Sequence, residues 1–177
     1  MVNTFLPYAD FTKCAKILDN KRLGKQRVEA KQIISVITNE YKGKAWRSHP
    51  AVLMWAGHVK ALMVYYNTMV KEWIYRGYVN NMRLYEIKGP VKMPWFIGNK
   101  SFHLSHQANL LRKNYEYYSR YFKHVPSDYI IYTYIWPNKL SHQQIVQLNK
   151  DKNKTINISD YSTKHSSKIL ALSNHLS

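Results

Sequence analysis

Along residues 11–41 apolar positions recur at helical spacing. Phe11, Ala15 and Leu18 open a line that Ile33 and Val36 close. The spacing predicts one helix from about Phe11 to Tyr41, with Asp10 as its N-cap. The middle of that line is polar: Arg22, Gln26 and Glu29 stand where a core-facing helix carries apolar residues. Residues 1–9 are apolar and interrupted by Pro7, and read as an extended arm. After the basic loop KGKAWRSHP, Ser48 and Pro50 mark the start of a second helix. It is apolar nearly all round, as a central packed helix is, and Gly77 is its stop. A long connection with Gly89, Pro90, Pro94 and Gly98 follows, and loops of that length are often functional. A third helix covers KSFHLSHQANLLRKNYEYYSRYF, with Leu104, Ala108, Leu111, Tyr115, Tyr118 and Phe122 on one line. The Tyr-rich stretch VPSDYIIYTYIWP is extended or irregular and ends at Pro137. The predicted fold class is mainly α: a compact single-domain bundle of about three long helices with an extended N-terminal arm and long loops. That domain takes residues 1–137. Residues 138–177 turn to Lys, Asn and Ser, predicting a basic polar extension, partly flexible, with one short helix near Ser141–Leu148.

Charge changes the picture from fold to partner. The 177 residues carry 27 Lys plus Arg against 10 Asp plus Glu, a formal +17. A polyanion is the default partner of such a chain, nucleic acid first; a basic protein that is merely soluble is the alternative. Fifteen Tyr and five Trp add flat rings that stack on unpaired bases, although aromatics are also core material. The lone Cys14 excludes an intramolecular disulfide framework and a cysteine-rich zinc site, and reads as a small core residue. No long uncharged apolar run predicts a membrane span, and MVNTFLPYADF lacks the pattern of a secretory signal. The expectation is an intracellular protein. Val2 is small enough for Met1 to be removed, which leaves a free α-amine on Val2.

Three constellations are candidates for chemistry. The first is Arg22, Gln26 and Glu29, with Lys25 at the edge, stacked on one helix face by their spacing. It is either a solvated face with a Lys25–Glu29 pair, or a polar cleft whose ionised carboxylate stabilises developing positive charge. The second is His103, His106, Asn109, Arg112 and Lys113. Phosphate or base contacts suit it better than a metal, for which no third ligand stands out; a satisfied helix-start histidine is the plainer reading. In the third, Arg47, Ser48 and His49 form an anion site at a helix start, while His58 reads as a buried structural imidazole.

The ordered motifs NTFLPYADF, LDNKRLGKQRVEA, WRSHPAVLMW, FHLSHQANLLRK and YIWP carry a resemblance. The Pro-started HPAVLMWAGHVKALM and the stop at KEWIYRGY resemble the central helix of the pyrimidine-dimer DNA glycosylases, the phage endonuclease V family. The likeness is greatest to a largely uncharacterised bacterial and viral branch and spans roughly residues 2–137. It implies a compact, mainly helical domain without metal or cofactor, and DNA as partner. It also implies a DNA glycosylase and AP lyase acting on damaged or modified pyrimidines. In that chemistry an N-terminal amine attacks the deoxyribose C1′, a Schiff base forms with help from a first-helix Glu, and β-elimination cuts the strand. Carried onto this chain, the catalytic residues are Val2, Glu29 and Arg22. The nucleic-acid contacts are Lys21, Lys25, Gln26 and Arg27, then Arg47 and His49, then His103, His106, Asn109, Arg112 and Lys113. Two departures stand out: Val2 replaces the family's Thr, and Arg22 precedes Leu23 rather than a Glu, with Glu29 two turns on. A non-catalytic protein that packages or protects DNA is the alternative, and a nucleotide- or RNA-modifying enzyme a third reading.

Overall fold

The computed structural model describes residues 2–43, 46–125 and 134–137, and the expectations for residues 138–177 lie outside them. Six helices follow in order: α1 Phe11–Ile17, α2 Asn20–Ile37, α3 Pro50–Leu53, α4 Val59–Tyr75, α5 Lys100–Lys113 and α6 Tyr115–Tyr118. No strand occurs among the described residues, so the mainly α class holds. The chain divides into two compact units, Met1–Pro94 and Trp95–Ser177.

Each expected long helix is broken, for a local reason. The first stops at Leu18, whose backbone is extended, and restarts because the Asp19 carboxylate accepts the Arg22 N–H. The second is interrupted between Leu53 and Val59, where Gly57 takes a left-handed φ of 78°. The third breaks at Asn114, whose extended backbone ends α5 and whose side chain caps Tyr117. Two predicted features survive: Asp10 caps α1 by accepting from Thr12 and Lys13, and Gly77 follows α4 at φ 83°.

In the first unit α2 packs on α4, α1 also packs on α4, and α2 meets α3. Gly24 is small because Trp73 lies against it: an added Cβ would stand 3.0 Å from the indole ring. The Arg27 guanidinium lies 4.0 Å over the same indole, and Tyr78 stacks on it at 4.1 Å. The connection after α4 is fastened to that helix. The Asn67 side chain donates to the Tyr85 carbonyl and accepts the Tyr85 N–H, while the Tyr66 hydroxyl donates to the Arg83 carbonyl.

Arg76, at the end of α4, closes the gap between α1 and α2. Its five N–H donors go to Glu72, the Asn20 side chain, and the carbonyls of Ala15, Lys16 and Leu18. Helix C-termini leave carbonyls without partners, and here one guanidinium supplies them. Arg76→Ala is therefore expected to lower stability by about 2–4 kcal/mol, because several carbonyls lose a charged donor together. Arg76→Lys is expected to restore only part, lacking the fork. Urea unfolding of both variants checks this.

In the second unit α5 packs on α6. His106 is 1% exposed, between the rings of Phe102 at 4.5 Å and Tyr134 at 4.9 Å. Burial, and then nearby His103, hold its pKa well below the usual 6.5. The folded chain therefore keeps His106 neutral at pH values where the unfolded chain charges it. Stability present above pH 6.5 is lost as pH falls below it, by about 1.4 kcal/mol per pH unit for this group. The expected result is a flatter acid limb of the stability profile for His106→Gln than for wild type.

Candidate active site around the N-terminal arm

The arm is core material. Val2, Asn3, Thr4, Phe5 and Leu6 are all buried, with Thr4 and Leu6 wholly so. A buried stretch without helical or sheet hydrogen bonds needs partners for its backbone. The inward line of α2 supplies them. Gln26 donates from Nε2 to the Asn3 carbonyl at 3.1 Å and accepts the Phe5 N–H on Oε1 at 2.9 Å. The same amide donates to Glu29 Oε2 at 2.9 Å, and the Tyr65 hydroxyl lies 2.5 Å from its oxygen and 3.0 Å from the Phe5 carbonyl. All four hydrogen-bonding positions of the Gln26 amide are thus used. Trp55 donates its indole N–H to Thr4 Oγ1 at 3.0 Å. Phe11 meets Tyr65 edge-on at 5.3 Å and Trp55 at 6.4 Å, closing the arm's seat with rings.

The polar middle of α2 is therefore not a solvated face. Gln26 is 0% and Glu29 6% exposed. Glu29 Oε2 accepts the Asn3 N–H at 3.4 Å, and Glu29 Oε1 faces Lys25 Nζ at 3.6 Å. Burial raises the Glu29 pKa above the usual 4.5; the Lys25 cation, the Asn3 N–H and the amino-terminal charge pull the other way. A carboxyl so placed takes up and returns a proton nearer neutrality than a solvated glutamate does. Covalent geometry keeps the Val2 nitrogen within about 3.7 Å of the Asn3 nitrogen, so it lies no more than roughly 7 Å from Glu29 Oε2. The Asn3 side-chain nitrogen is buried with no partner among the described residues, a donor at the edge of the same site.

The other expected site residues separate. Arg22 pairs with Asp19 at 3.1 Å, near the start of α2. Lys21 and Lys25 are exposed on α2. Arg27 packs on Trp73 and donates to Asn80 at 3.1 Å, which commits its guanidinium to the fold. Arg47 is exposed and donates to Asn39 at 2.9 Å. His49 Nδ1 accepts the Ala51 N–H at 3.2 Å, and α3 is one turn long, so the helix start expected as an anion site is capped by the protein's own imidazole. His58 is half-exposed rather than buried, with Nδ1 3.1 Å from the Lys92 carbonyl. In the second unit His103, His106 and Asn109 are buried, leaving Arg112 and Lys113 exposed on α5. His103 Nε2 accepts the Gly98 N–H at 2.9 Å, and Asn109 donates to the Ser105 carbonyl and accepts from Arg112. Among the described residues no group of three or more His, Cys, Asp or Glu is placed to hold a metal ion. Cys14, which donates to the Tyr8 carbonyl, is a core residue whose thiol burial pushes up to about 12.

Sequence reasoning missed Asn3, Thr4, Trp55 and Tyr65 as the arm's partners. The signal was present in two small polar residues, Asn3 and Thr4, inside an otherwise apolar arm. Residues 2–86 match the family model described as pyrimidine dimer DNA glycosylase. The arm, α1 to α4 and the start of the following connection thus carry that family's domain, which bears out the resemblance over this segment. The match points to DNA-repair glycosylase function with DNA as partner. The motifs FHLSHQANLLRK and YIWP lie outside it. No curated protein and no solved structure matches the chain. No helix among the described residues is long and apolar enough to cross a membrane.

Proposed function

We propose that the chain is a DNA glycosylase and AP lyase for damaged pyrimidines, with the Val2 α-amine, freed by removal of Met1, as nucleophile and Glu29 as its acid–base partner. The observation that carries this reading is the Asn3 N–H donated to Glu29 Oε2. It seats the start of the arm beside a buried carboxylate. An α-amine titrates near about 7.7–8.0, so a useful fraction is neutral at pH 7. Its lone pair forms the N–C1′ bond, and the glycosidic bond breaks with its electron pair leaving on the base, which takes up a proton. Opening of the sugar then gives an iminium. Glu29 stabilises that cation and moves protons. Removal of a C2′ proton and departure of the 3′ phosphate complete the strand cut. Exposed Lys21, Lys25 and Arg47 supply phosphate contacts; Arg22 sits at the margin with its charge shared with Asp19.

Two measurements on one abasic duplex test this. Affinity is expected to fall steeply with salt, since each neutralised phosphate releases counterions. The abasic strand is expected to be cut without added metal. Binding without any cleavage, on abasic and dimer-containing duplexes alike, would favour the non-catalytic DNA-binding protein.

A further inference from the structure

Beside the arm lies a cavity of about 160 Å³. It belongs wholly to the first unit. Its size is below the roughly 300–1,000 Å³ of pockets that hold drug-sized ligands, and suits one small ring rather than a whole nucleotide. Its chemistry is divided. Val2, Ile33, Val36 and Val52 offer apolar walls, and Tyr41 and Trp46 add flat faces. Gln32 and Ser35, from α2, bring an amide and a hydroxyl that read the edge of a polar ring. Two details indicate that the aromatic side is built rather than incidental. A Cβ at Gly43 would collide with the Tyr41 hydroxyl, so glycine there lets the chain fold against that ring. Trp46, more than a third exposed, is set by its neighbour: its ring lies 5.4 Å from that of His49, which is itself held as the cap of α3.

Val2 belongs both to this cavity and to the proposed catalytic centre. In a nucleoside the base is bonded to C1′, the atom that the amine would attack, so the base must lie within one bond of the reacting carbon. We infer that the cavity is the subsite for the excised pyrimidine ring, with Trp46 and Tyr41 as its stacking faces and specificity-determining residues. This rests on the glycosylase reading, and it deepens that reading by naming where the leaving base sits. Stacking on an aromatic side chain is sequence-tolerant, because every base has a π-face, so the Gln32 and Ser35 edge would set the preference among rings.

The test separates this inference from the reading beneath it. An abasic duplex has no base to seat, whereas a duplex bearing a thymine dimer, thymine glycol or uracil does. The readout is the rate of base release divided by the rate of abasic-strand cleavage, measured on the same full-length protein. Trp46→Ala is expected to lower that ratio by about tenfold or more, and Trp46→Phe to restore most of it. A ratio within twofold of wild type in Trp46→Ala overturns the subsite. So does a wild-type protein that cuts abasic DNA yet releases no base from any of the three duplexes. Failure of wild type to cut abasic DNA overturns the glycosylase reading itself, and the subsite with it.

Discussion

Glu29→Gln is expected to lower cleavage of an abasic duplex by about 10²–10³-fold while the protein still binds that duplex. The substitution keeps an acceptor for the Asn3 N–H and nearly the same shape. It removes only the charge and the ability to carry a proton. Removing an anion from beside a phosphate track does not weaken binding to DNA. Arg22→Ala, by contrast, is expected to weaken binding and cleavage together, since it deletes a cation and frees Asp19. The stability of the amide variant has its own sign. Burial raises the folded pKa of Glu29 above 4.5. The folded state therefore holds that proton more tightly than the unfolded state does. Stability from this group is full below about pH 4.5 and is lost as pH rises through the folded pKa. An amide in its place has no such loss, so the melting temperature of Glu29→Gln relative to wild type is expected to rise from pH 4.5 toward neutrality. A variant that loses activity while gaining relative stability is the mark of a carboxylate kept for chemistry. Loss of both would instead make Glu29 a structural residue.

Gln26→Glu carries the other large effect. The change is isosteric but replaces the amide nitrogen that donates to the Asn3 carbonyl and to Glu29 Oε2. At neutral pH it sets an acceptor against two acceptors, one of them a carboxylate, in a fully buried place. The expected cost is about 2–4 kcal/mol at pH 7, from lost donors and like charge. Cleavage is expected to fall with it, because the arm that carries Val2 loses its fastening. The penalty against wild type should shrink at lower pH, where one of the two carboxyls holds a proton and donates again. Chemical unfolding at pH 5 and pH 7 measures this, and a cost that does not depend on pH contradicts the network described.

The helical class was legible because the apolar positions recur at a helical period over many turns. The helix breaks were not, because periodicity carries across a short interruption. Leu18 stays on the same apolar line whether or not Asp19 restarts the helix. Arg76 read as part of a helix stop, and nothing local to it announces that its five donors serve a gap nearly sixty residues earlier. The candidate site was half legible. Gln26 and Glu29 stood out as polar residues on an apolar line, and burial bears out that they face inward. Arg22 shared the line but not the destination, since an acid three residues before it takes its charge. The histidines of α5 misled for the opposite reason. Imidazoles are ligands and contacts often enough to suggest function, yet His103 and His106 are packed and hydrogen-bonded or ring-stacked in the second unit. The cavity beside Val2 joins residues from the arm, α2, the following loop and α3, a gathering that no sequence window contains.

The most direct test is borohydride trapping on an abasic duplex, with the adduct located by peptide mass mapping. A Schiff base reduced in place leaves the sugar covalently bound to the amine that attacked. The N-terminus should be sequenced in the same sample, since retained Met1 would block Val2. The expected adduct is on the α-amine of the N-terminal peptide Val2–Lys13, abundant in wild type. An adduct on Lys25, the other amine next to Glu29, or a bound duplex that yields no adduct at all, would contradict the account.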